Sequence, residues 1–325
     1  FADLFADIDL YSNRLGAGDQ KQSDTIASLI REIDKADLLN TDAEILGNAY
    51  EYLIGQFASE TGKKAGEFYT PQAVSKILTQ IAIAGQEDKR GLSVYDPCMG
   101  SGSLLLNAKK YAEKPEYIKY YGQELNTSTY NLARMNMFLH GDGGSKIFQL
   151  DSLDKNITVE EDADSLELRS EKKEFRDAIS GRDGYFDLAL TNPPFAAEYK
   201  CSEPSDLALL KDYSIAHRPD GNGISSLRGT VRSSVLFIER YYDILKPGGS
   251  LITVLDDGIL GGEDTSYVRD WIRSHFIVKA VISLPVTHSS ALRQESRRHC
   301  SSCKRRSMLP KNSLEFICGI VRMWG

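Results

Sequence analysis

The sequence predicts an α/β protein with a doubly wound, mostly parallel sheet and a small helical domain ahead of it. Short apolar runs alternate with amphipathic segments along most of the 325 residues, the order that builds a parallel sheet covered by helices. Several runs end in an acidic residue, and one ends in an Asn-Pro-Pro turn. Ligands bind at the carboxyl ends of strands in such sheets. We predict a helical region over 1–65, a ligand-binding sheet domain over 66–286 and an atypical basic tail over 287–325.

Overall charge and hydropathy narrow the function classes. The net charge is −7 and the isoelectric point about 5.4, which argues against a protein that wraps nucleic acid through its own global charge. Local contact with DNA, or DNA bound by a partner, remains compatible with this charge. The chain has no apolar run long enough to span a bilayer and no basic-then-apolar leader. We therefore expect neither a membrane span nor a secretion signal.

Cysteine usage indicates a reducing compartment. The five cysteines are an odd, sparse set, which suits the cytoplasm better than a disulfide framework. Cys300 and Cys303 have the spacing of half a zinc site, but there is no second pair and His299 does not complete the site. We therefore predict a cytoplasmic protein without a bound metal.

The first 65 residues have helical patterning, with one amphipathic segment over 42–54. A glycine- and lysine-rich hinge at 62–66 leads into the segment 67–72. There we expect Thr70 to cap a helix over 73–84 and Pro71 to occupy its first position.

A strand, a glycine-rich turn and a helix follow. The predicted strand over 92–96 ends in Asp96, whose carboxylate would repel phosphate and attract a cation. Gly100 and Gly102 permit positive φ and close approach of a ligand, and the small Ser103 begins a helix with free N–H groups. The turn therefore favours a ligand with a positive centre over a dinucleotide.

The next two predicted strands, over 120–125 and 147–151, also carry acids at their ends. Glu124 is placed where an acidic residue accepts hydrogen bonds from the ribose hydroxyls of a nucleoside. Asp151 is placed where an adenine amine could be read. Three acids at three successive strand ends indicate a nucleoside-binding edge.

The remaining segments complete the alternation. We expect 154–184 to be an exposed insertion and 196–233 to be a long loop, functional or mobile, with several basic residues. The other predicted elements are helices over 126–140, 165–180, 233–246 and 267–274, and strands over 250–255, 278–284 and 314–321.

The Asn-Pro-Pro turn closes a short buried strand over 185–190, and its two prolines fix the backbone. The side-chain oxygen of Asn192 and the carbonyl oxygen of Pro193 can each accept an N–H from a ring-conjugated amine, which directs the nitrogen lone pair toward a methyl donor. Phe195 can stack on the base, which has to flip out of duplex DNA. A ligand with a ribose and a positive centre fits S-adenosylmethionine, so we predict methyl transfer to such an amine.

At this point the sequence resembles a known family, the modification subunits of type I restriction-modification enzymes, which are N6-adenine DNA methyltransferases. The resemblance covers about residues 40–286. The Glu-Phe-Tyr-Thr-Pro segment is more specific than the Asn-Pro-Pro-Phe turn, which several amino-methylating families share. The matching segments are 66–71, 96–103, Glu124, 192–195, 237–239 and 245–249.

The resemblance implies a Rossmann-like class I methyltransferase fold over 66–286 and assigns the site. The resemblance implies that residues 67–72 close over S-adenosylmethionine, that residues 101–103 line the cofactor and that Glu124 binds its ribose. Together with the reading of the strand ends, the predicted cofactor-binding residues are Glu67, Phe68, Tyr69, Thr70, Pro71, Gln72, Asp96, Gly100, Ser101, Gly102, Ser103, Glu124, Asp151 and Asn192. The predicted catalytic residues, which would hold a flipped adenine, are Asn192, Pro193, Pro194 and Phe195. The implied partners are DNA, a specificity subunit that reads the DNA and a restriction subunit.

Two segments depart from the family pattern. The helical region before Glu67 is shorter, and residues 286–313 lack the turn and strand expected there and resemble a shifted reading frame. Other functions stay open from the residues: methylation of a protein glutamine, of a guanine in rRNA or of a cytosine in DNA, or an inactive cofactor-binding scaffold subunit.

Overall fold

A computed structural model describes residues 9–35, 41, 43–60, 69–86, 89–160, 164–179, 185–219, 225–283 and 314–320. Glu67, Phe68, the predicted hinge at 62–66, Cys300 and Cys303 lie outside the described residues. Within the described residues, no helix is long and apolar enough to cross a membrane.

The main sheet has seven strands, and every neighbouring pair in it is parallel. Its strands are β1 (Ser93–Asp96), β2 (Lys119–Gln123), β3 (Lys146–Phe148), β4 (Phe186–Thr191), β9 (Leu245–Leu255), β10 (Phe276–Ser283) and β11 (Leu314–Ile320). Their order is β10-β11-β9-β4-β1-β2-β3. The chain runs outward from β1 through β2 to β3 and then returns to β4 on the other side of β1. The crevice between the ends of β1 and β4 is therefore the topological switch point, where open α/β sheets bind ligands.

Helices cover both faces of this sheet and precede it. They are α1 (Asp19–Asp34), α2 (Ala43–Glu60), α3 (Gln72–Ile83), α4 (Ser103–Tyr111), α5 (Thr127–Leu139), α6 (Leu166–Ile179), α7 (Pro204–Leu210), α8 (Ser233–Ile244), α9 (Asp257–Gly261) and α10 (Ser266–His275). Helix α2 packs on α5, where a Cβ at Gly47 would lie 2.6 Å from the His140 ring. A glycine is therefore required for this close approach of the N-terminal helical region to the sheet domain.

Two apolar layers form the core, one for each face of the sheet. In the first, the Tyr95 and Phe186 rings stack at 4.2 Å between centroids. The second lies under α3 and α4 and includes Leu78, Leu104 and Leu188. Strand β1 is buried along its whole length, as expected for a strand covered on both faces. This burial fixes β1, and with it Asp96, at the centre of the site.

The segment 196–233, predicted to be a loop, instead contains short regular elements. Strand β5 (Glu198–Lys200) pairs with β8 (Thr230–Arg232), and β6 (His217–Pro219) pairs with β7 (Ser225–Leu227), both antiparallel. The prediction was wrong because three-residue strands have almost no periodic pattern of hydrophobicity. In addition, β5 pairs with a strand about thirty residues further along the chain.

Two further local predictions differ from the structure. Helix α3 begins at Gln72, and Pro71 rather than Thr70 occupies the N-cap position, without a side-chain cap. Helix α9 begins at Asp257, and the Asp256 side chain caps it by accepting a hydrogen bond from the Ile259 amide. Strand β9 already begins at Leu245, and its register against β4 shifts where Pro247 interrupts the ladder. The predicted last strand is confirmed as β11, between β9 and β10.

Candidate active site

The Asn-Pro-Pro turn directly follows β4. The Asn192 Nδ2 donates to Thr70 Oγ1 at 3.2 Å, so a residue 122 positions earlier orients the amide. The Asn192 Oδ1 is buried and has no hydrogen-bond donor among the described residues. A buried acceptor without a donor costs about 1–3 kcal/mol, and a substrate N–H would remove that cost. The turn thus presents one unused acceptor at the switch point.

Helix α8 also supports this turn. The Ser233 Oγ donates to the Pro194 carbonyl at 2.7 Å, and the Ser233 amide donates to the Ala197 carbonyl at 2.8 Å. Phe195 is half-buried and packs against the apolar layer under α3 and α4. The turn is therefore anchored through its backbone, while the Asn192 oxygen stays unpaired.

The glycine-rich turn after β1 has the predicted backbone. Gly100 and Gly102 have φ of 53° and 79°, and Gly102 is the N-cap of α4. The Met99 amide donates to the Gln123 carbonyl at 3.0 Å, which ties the turn to the end of β2. These contacts fix the loop without using the free N–H groups that open α4.

Three carboxyl groups lie at the ends of β1, β2 and just beyond β3, as predicted. Glu124 accepts hydrogen bonds from the Gly100 amide at 3.2 Å and the Asn126 amide at 2.9 Å, and burial raises its pKa. Asp151 accepts from the Leu153 amide at 2.9 Å, and burial also raises its pKa. No lysine or arginine in the described part of the chain forms an ion pair with either carboxylate. Within the described residues these strand-end carboxylates therefore have no ion-pair partner, although the charge of Arg240 lowers the pKa of Asp151.

Asp96 is the most buried of these acids. Its Oδ1 accepts from the Cys98 amide at 3.0 Å, whereas its Oδ2 meets no donor among the described residues. Burial raises the pKa of Asp96 to about 7, although the hydrogen bond from the Cys98 amide lowers it. Burial also raises the pKa of the Cys98 thiol, which disfavours its use as a nucleophile.

One residue beside the glycine-rich turn was not predicted from the sequence. Glu51, on α2, accepts hydrogen bonds from Ser103 Oγ at 3.0 Å and from Gln72 Nε2 at 2.6 Å. Ser103 Oγ in turn lies 2.9 Å from Ser101 Oγ. Nothing in the local pattern of α2 distinguishes Glu51 from an ordinary exposed acid, because only packing of α2 on the sheet domain brings it to the glycine-rich turn.

Most of the predicted residues that the structure describes lie in one connected arrangement. Thr70 and Gln72, from the segment before α3, contact Asn192 and Glu51 respectively. The Tyr69 phenol also lies near Glu51, and burial followed by the Glu51 charge raises its pKa. Among the described residues Asp151 makes no direct contact with this network, and its place in the site stays a prediction from its position beyond β3.

A cavity of about 820 Å³ lies beside this network, between α2 and the helices α3 and α4. Glu51, Tyr69, Pro71 and Gln72 belong to its wall, and Asp96, Glu124 and Asn192 do not. The strand-end site and the cavity therefore meet at the segment 69–72.

Comparison with known proteins identifies the family. A model of the N-6 DNA methylase family matches residues 41–288. A solved structure of a type I restriction-modification methyltransferase subunit from Streptococcus thermophilus is 39% identical, with a TM-score of 0.65. The match covers 87% of this chain and 54% of that one.

Curated relatives agree. A type I restriction enzyme methylase subunit of Mycoplasma pneumoniae is 32% identical over 293 residues, which are 88% of this chain and 49% of the relative. A second, from Methanocaldococcus jannaschii, is 30% identical over 80% of this chain and 40% of its own length. The chain thus spans about half the length of these relatives or less. Over that span it has the predicted Rossmann-like methyltransferase fold, and it belongs to the N-6 DNA methylase family.

Proposed function

We propose that this chain carries out N6-adenine methylation of DNA with S-adenosylmethionine, as part of the modification subunit of a type I restriction-modification complex. The observation that carries the proposal is the buried Oδ1 of Asn192 at the switch point, which has no donor among the described residues and lies near strand-end carboxylates that form no ion pair there. An acceptor of this kind suits the N–H of an exocyclic amine. Family membership supports adenine as the base that bears this amine.

The residues present fit the cofactor. Glu124 would hold its ribose, and Asp96 would favour its positive centre. The Asp96 Oδ2 is a buried acceptor without a donor among the described residues. When bound, S-adenosylmethionine supplies an electrophilic methyl group. Ser101 and Ser103 would line it at the start of α4.

Asn192 and Pro193 would prepare the acceptor nitrogen. Each offers one oxygen to an amine N–H, which withdraws the lone pair from conjugation with the ring and points it out of the base plane. Dipoles that are already oriented stabilise the charge that grows on nitrogen during transfer. Phe195 would stack on the flipped base, an interaction worth about 1–3 kcal/mol. The chain's own residues thus act by orientation and by electrostatic stabilisation.

We also propose DNA, a specificity subunit and a restriction subunit as partners, in the cytoplasm. The chain carries a net charge of −7, so a partner would supply most of the phosphate contacts and the base readout. The names of the similar proteins, type I methylase subunits, support this assembly.

Methyl transfer from labelled S-adenosylmethionine to duplex DNA, with and without a specificity subunit, tests the proposal. Nucleoside analysis of the product by mass spectrometry should find N6-methyladenine, and transfer should need the specificity subunit. Label on cytosine N4, on an rRNA guanine or on a protein glutamine would establish one of the other amino-methylating functions. Cofactor binding with no transfer to any of these acceptors would indicate a scaffold subunit.

A further inference from the structure

We propose that Glu51, on the N-terminal helix α2, binds the ammonium group of the amino-acid part of S-adenosylmethionine. This inference rests on the proposed function and adds a specificity-determining residue to it. It also assigns the N-terminal helical region a part in the cofactor site.

The first support is position. Glu51 Oε1 accepts from Ser103 Oγ at 3.0 Å, and Ser103 is the first residue of the nine-residue helix α4. The N-terminus of a helix favours a carboxylate, such as the one at the amino-acid end of the cofactor. An ammonium group bonded to the same carbon as that carboxylate would then lie close to Glu51.

The second support is charge. Glu51 is half-buried and receives hydrogen bonds from two neutral donors, Ser103 and Gln72. No cationic side chain forms an ion pair with it in the part of the chain that the structure describes. Glu239 is a useful contrast, because its carboxylate meets Lys155 Nζ at 2.7 Å as well as the Ser214 and Ile215 amides. A partly buried carboxylate without such a cation favours a cationic ligand.

The third support is a buried acceptor at the same turn that has no donor among the described residues. Asn136 is fully buried; its Nδ2 donates to the Ser101 carbonyl at 2.9 Å, and its Oδ1 has no donor among the described residues. Ser101 Oγ lies 2.9 Å from Ser103 Oγ, so Asn136 and Glu51 belong to one hydrogen-bonded group around the turn. Two acceptors around the turn match a ligand group that donates several hydrogen bonds.

Calorimetry with two ligands tests the assignment. S-adenosylhomocysteine carries the ammonium group, and S-(5′-adenosyl)-4-thiobutanoate lacks only that group. The wild-type protein should prefer the first ligand by about ten- to a hundredfold, the range of a hydrogen bond between charged groups. Glu51→Gln preserves size and polarity and should abolish most of this preference by weakening S-adenosylhomocysteine alone.

Glu113→Gln is the matched control, an exposed acid just beyond the other end of α4, and should leave both affinities unchanged. Equal affinity of the wild type for the two ligands would overturn the inference even if Glu51→Gln failed to fold. Equal weakening of both ligands in Glu51→Gln would show that Glu51 only positions the loop, which also overturns it. Failure of the wild type to bind S-adenosylhomocysteine at all would instead count against the proposed function.

Discussion

The two halves of the site are built differently. We call residues 96–103 with Glu124 the cofactor half, and residues 192–195 the acceptor half. In the cofactor half, Glu124 accepts hydrogen bonds from two backbone amides, and the glycine-rich turn is hydrogen-bonded to the end of β2. All of these contacts lie within about thirty residues of chain. In the acceptor half, the Asn192 amide and the Pro194 carbonyl are held by side chains from α3's leading segment and from α8.

The two halves also differ in whether their acceptor oxygens already receive a hydrogen bond. Both Glu124 oxygens are already hydrogen-bonded, while the Asn192 Oδ1 is buried with no donor in the described structure. A satisfied carboxylate is preorganised and can accept further hydrogen bonds through its remaining lone pairs. A buried acceptor without a donor favours the arrival of one. The cofactor half is thus arranged for binding, and the acceptor half for the group that reacts.

Replacing Asn192 should produce the largest effect. Asn192→Ala is expected to slow methyl transfer by about 10²–10³-fold, by analogy with the loss of one oriented hydrogen-bonding group that stabilises a transition state. Its affinity for S-adenosylhomocysteine should stay near the wild-type value. Asn192→Asp should retain part of the activity because a carboxylate still accepts the amine N–H. Single-turnover transfer with the specificity subunit present measures both, and a wild-type rate in Asn192→Ala would mean that the turn is only structural.

Replacing Glu124, in the cofactor half, should weaken cofactor binding. Glu124→Ala removes a charged acceptor of ribose hydroxyls, at about 1.5–3 kcal/mol, or roughly ten- to a hundredfold in affinity. Calorimetry with S-adenosylhomocysteine measures this loss. Glu116→Ala, an exposed acid before β2, is the control and should bind as the wild type does. An unchanged affinity in Glu124→Ala would remove Glu124 from the cofactor site.

The pH dependence of cofactor affinity should depend on Asp96, in the cofactor half. Burial raises the pKa of Asp96 to about 7, so the carboxyl loses its charge as the pH falls through neutrality. The ionised form attracts the sulfonium of S-adenosylmethionine, whereas S-adenosylhomocysteine has no such charge. The affinity for S-adenosylmethionine divided by that for S-adenosylhomocysteine should therefore fall by about three- to tenfold between pH 8 and pH 6. Asp96→Asn should make the ratio independent of pH, and a sloping ratio in that variant would assign the titration to another group.

The smallest effect is expected at the support of the acceptor half. Ser233→Ala removes the hydrogen bond to the Pro194 carbonyl, which should lower the free energy of unfolding by about 0.5–1.5 kcal/mol. Transfer should slow a few-fold, with cofactor affinity unchanged. Ser234→Ala is the matched control, because that neighbouring hydroxyl contacts Asp256 instead of the turn. Equal transfer rates in the two variants would show that the Pro194 contact does not position Asn192.

The elements with local signals could be predicted from the sequence. Buried strands, the glycine turn with positive φ and the acids at strand ends follow from short-range patterns, and the structure shows them where expected. The contacts of Thr70 with Asn192, Ser233 with Pro194 and Glu51 with Ser103 could not be predicted, because each joins residues between 39 and 122 positions apart. The strand pairs within 196–233 could not be predicted for the same reason. The domain limits at 65 and 286 and the individual site roles remain predictions.

The cofactor half is expected to determine cofactor affinity and the acceptor half the rate of transfer, and one ratio tests this difference directly. For each variant, the factor by which single-turnover transfer slows is divided by the factor by which S-adenosylhomocysteine affinity falls. At saturating cofactor, Asn192→Ala should give a ratio of about 10² or more, whereas Glu124→Ala should give a ratio near or below one. Similar ratios for the two variants would contradict the claim and show that both halves act as a single binding unit.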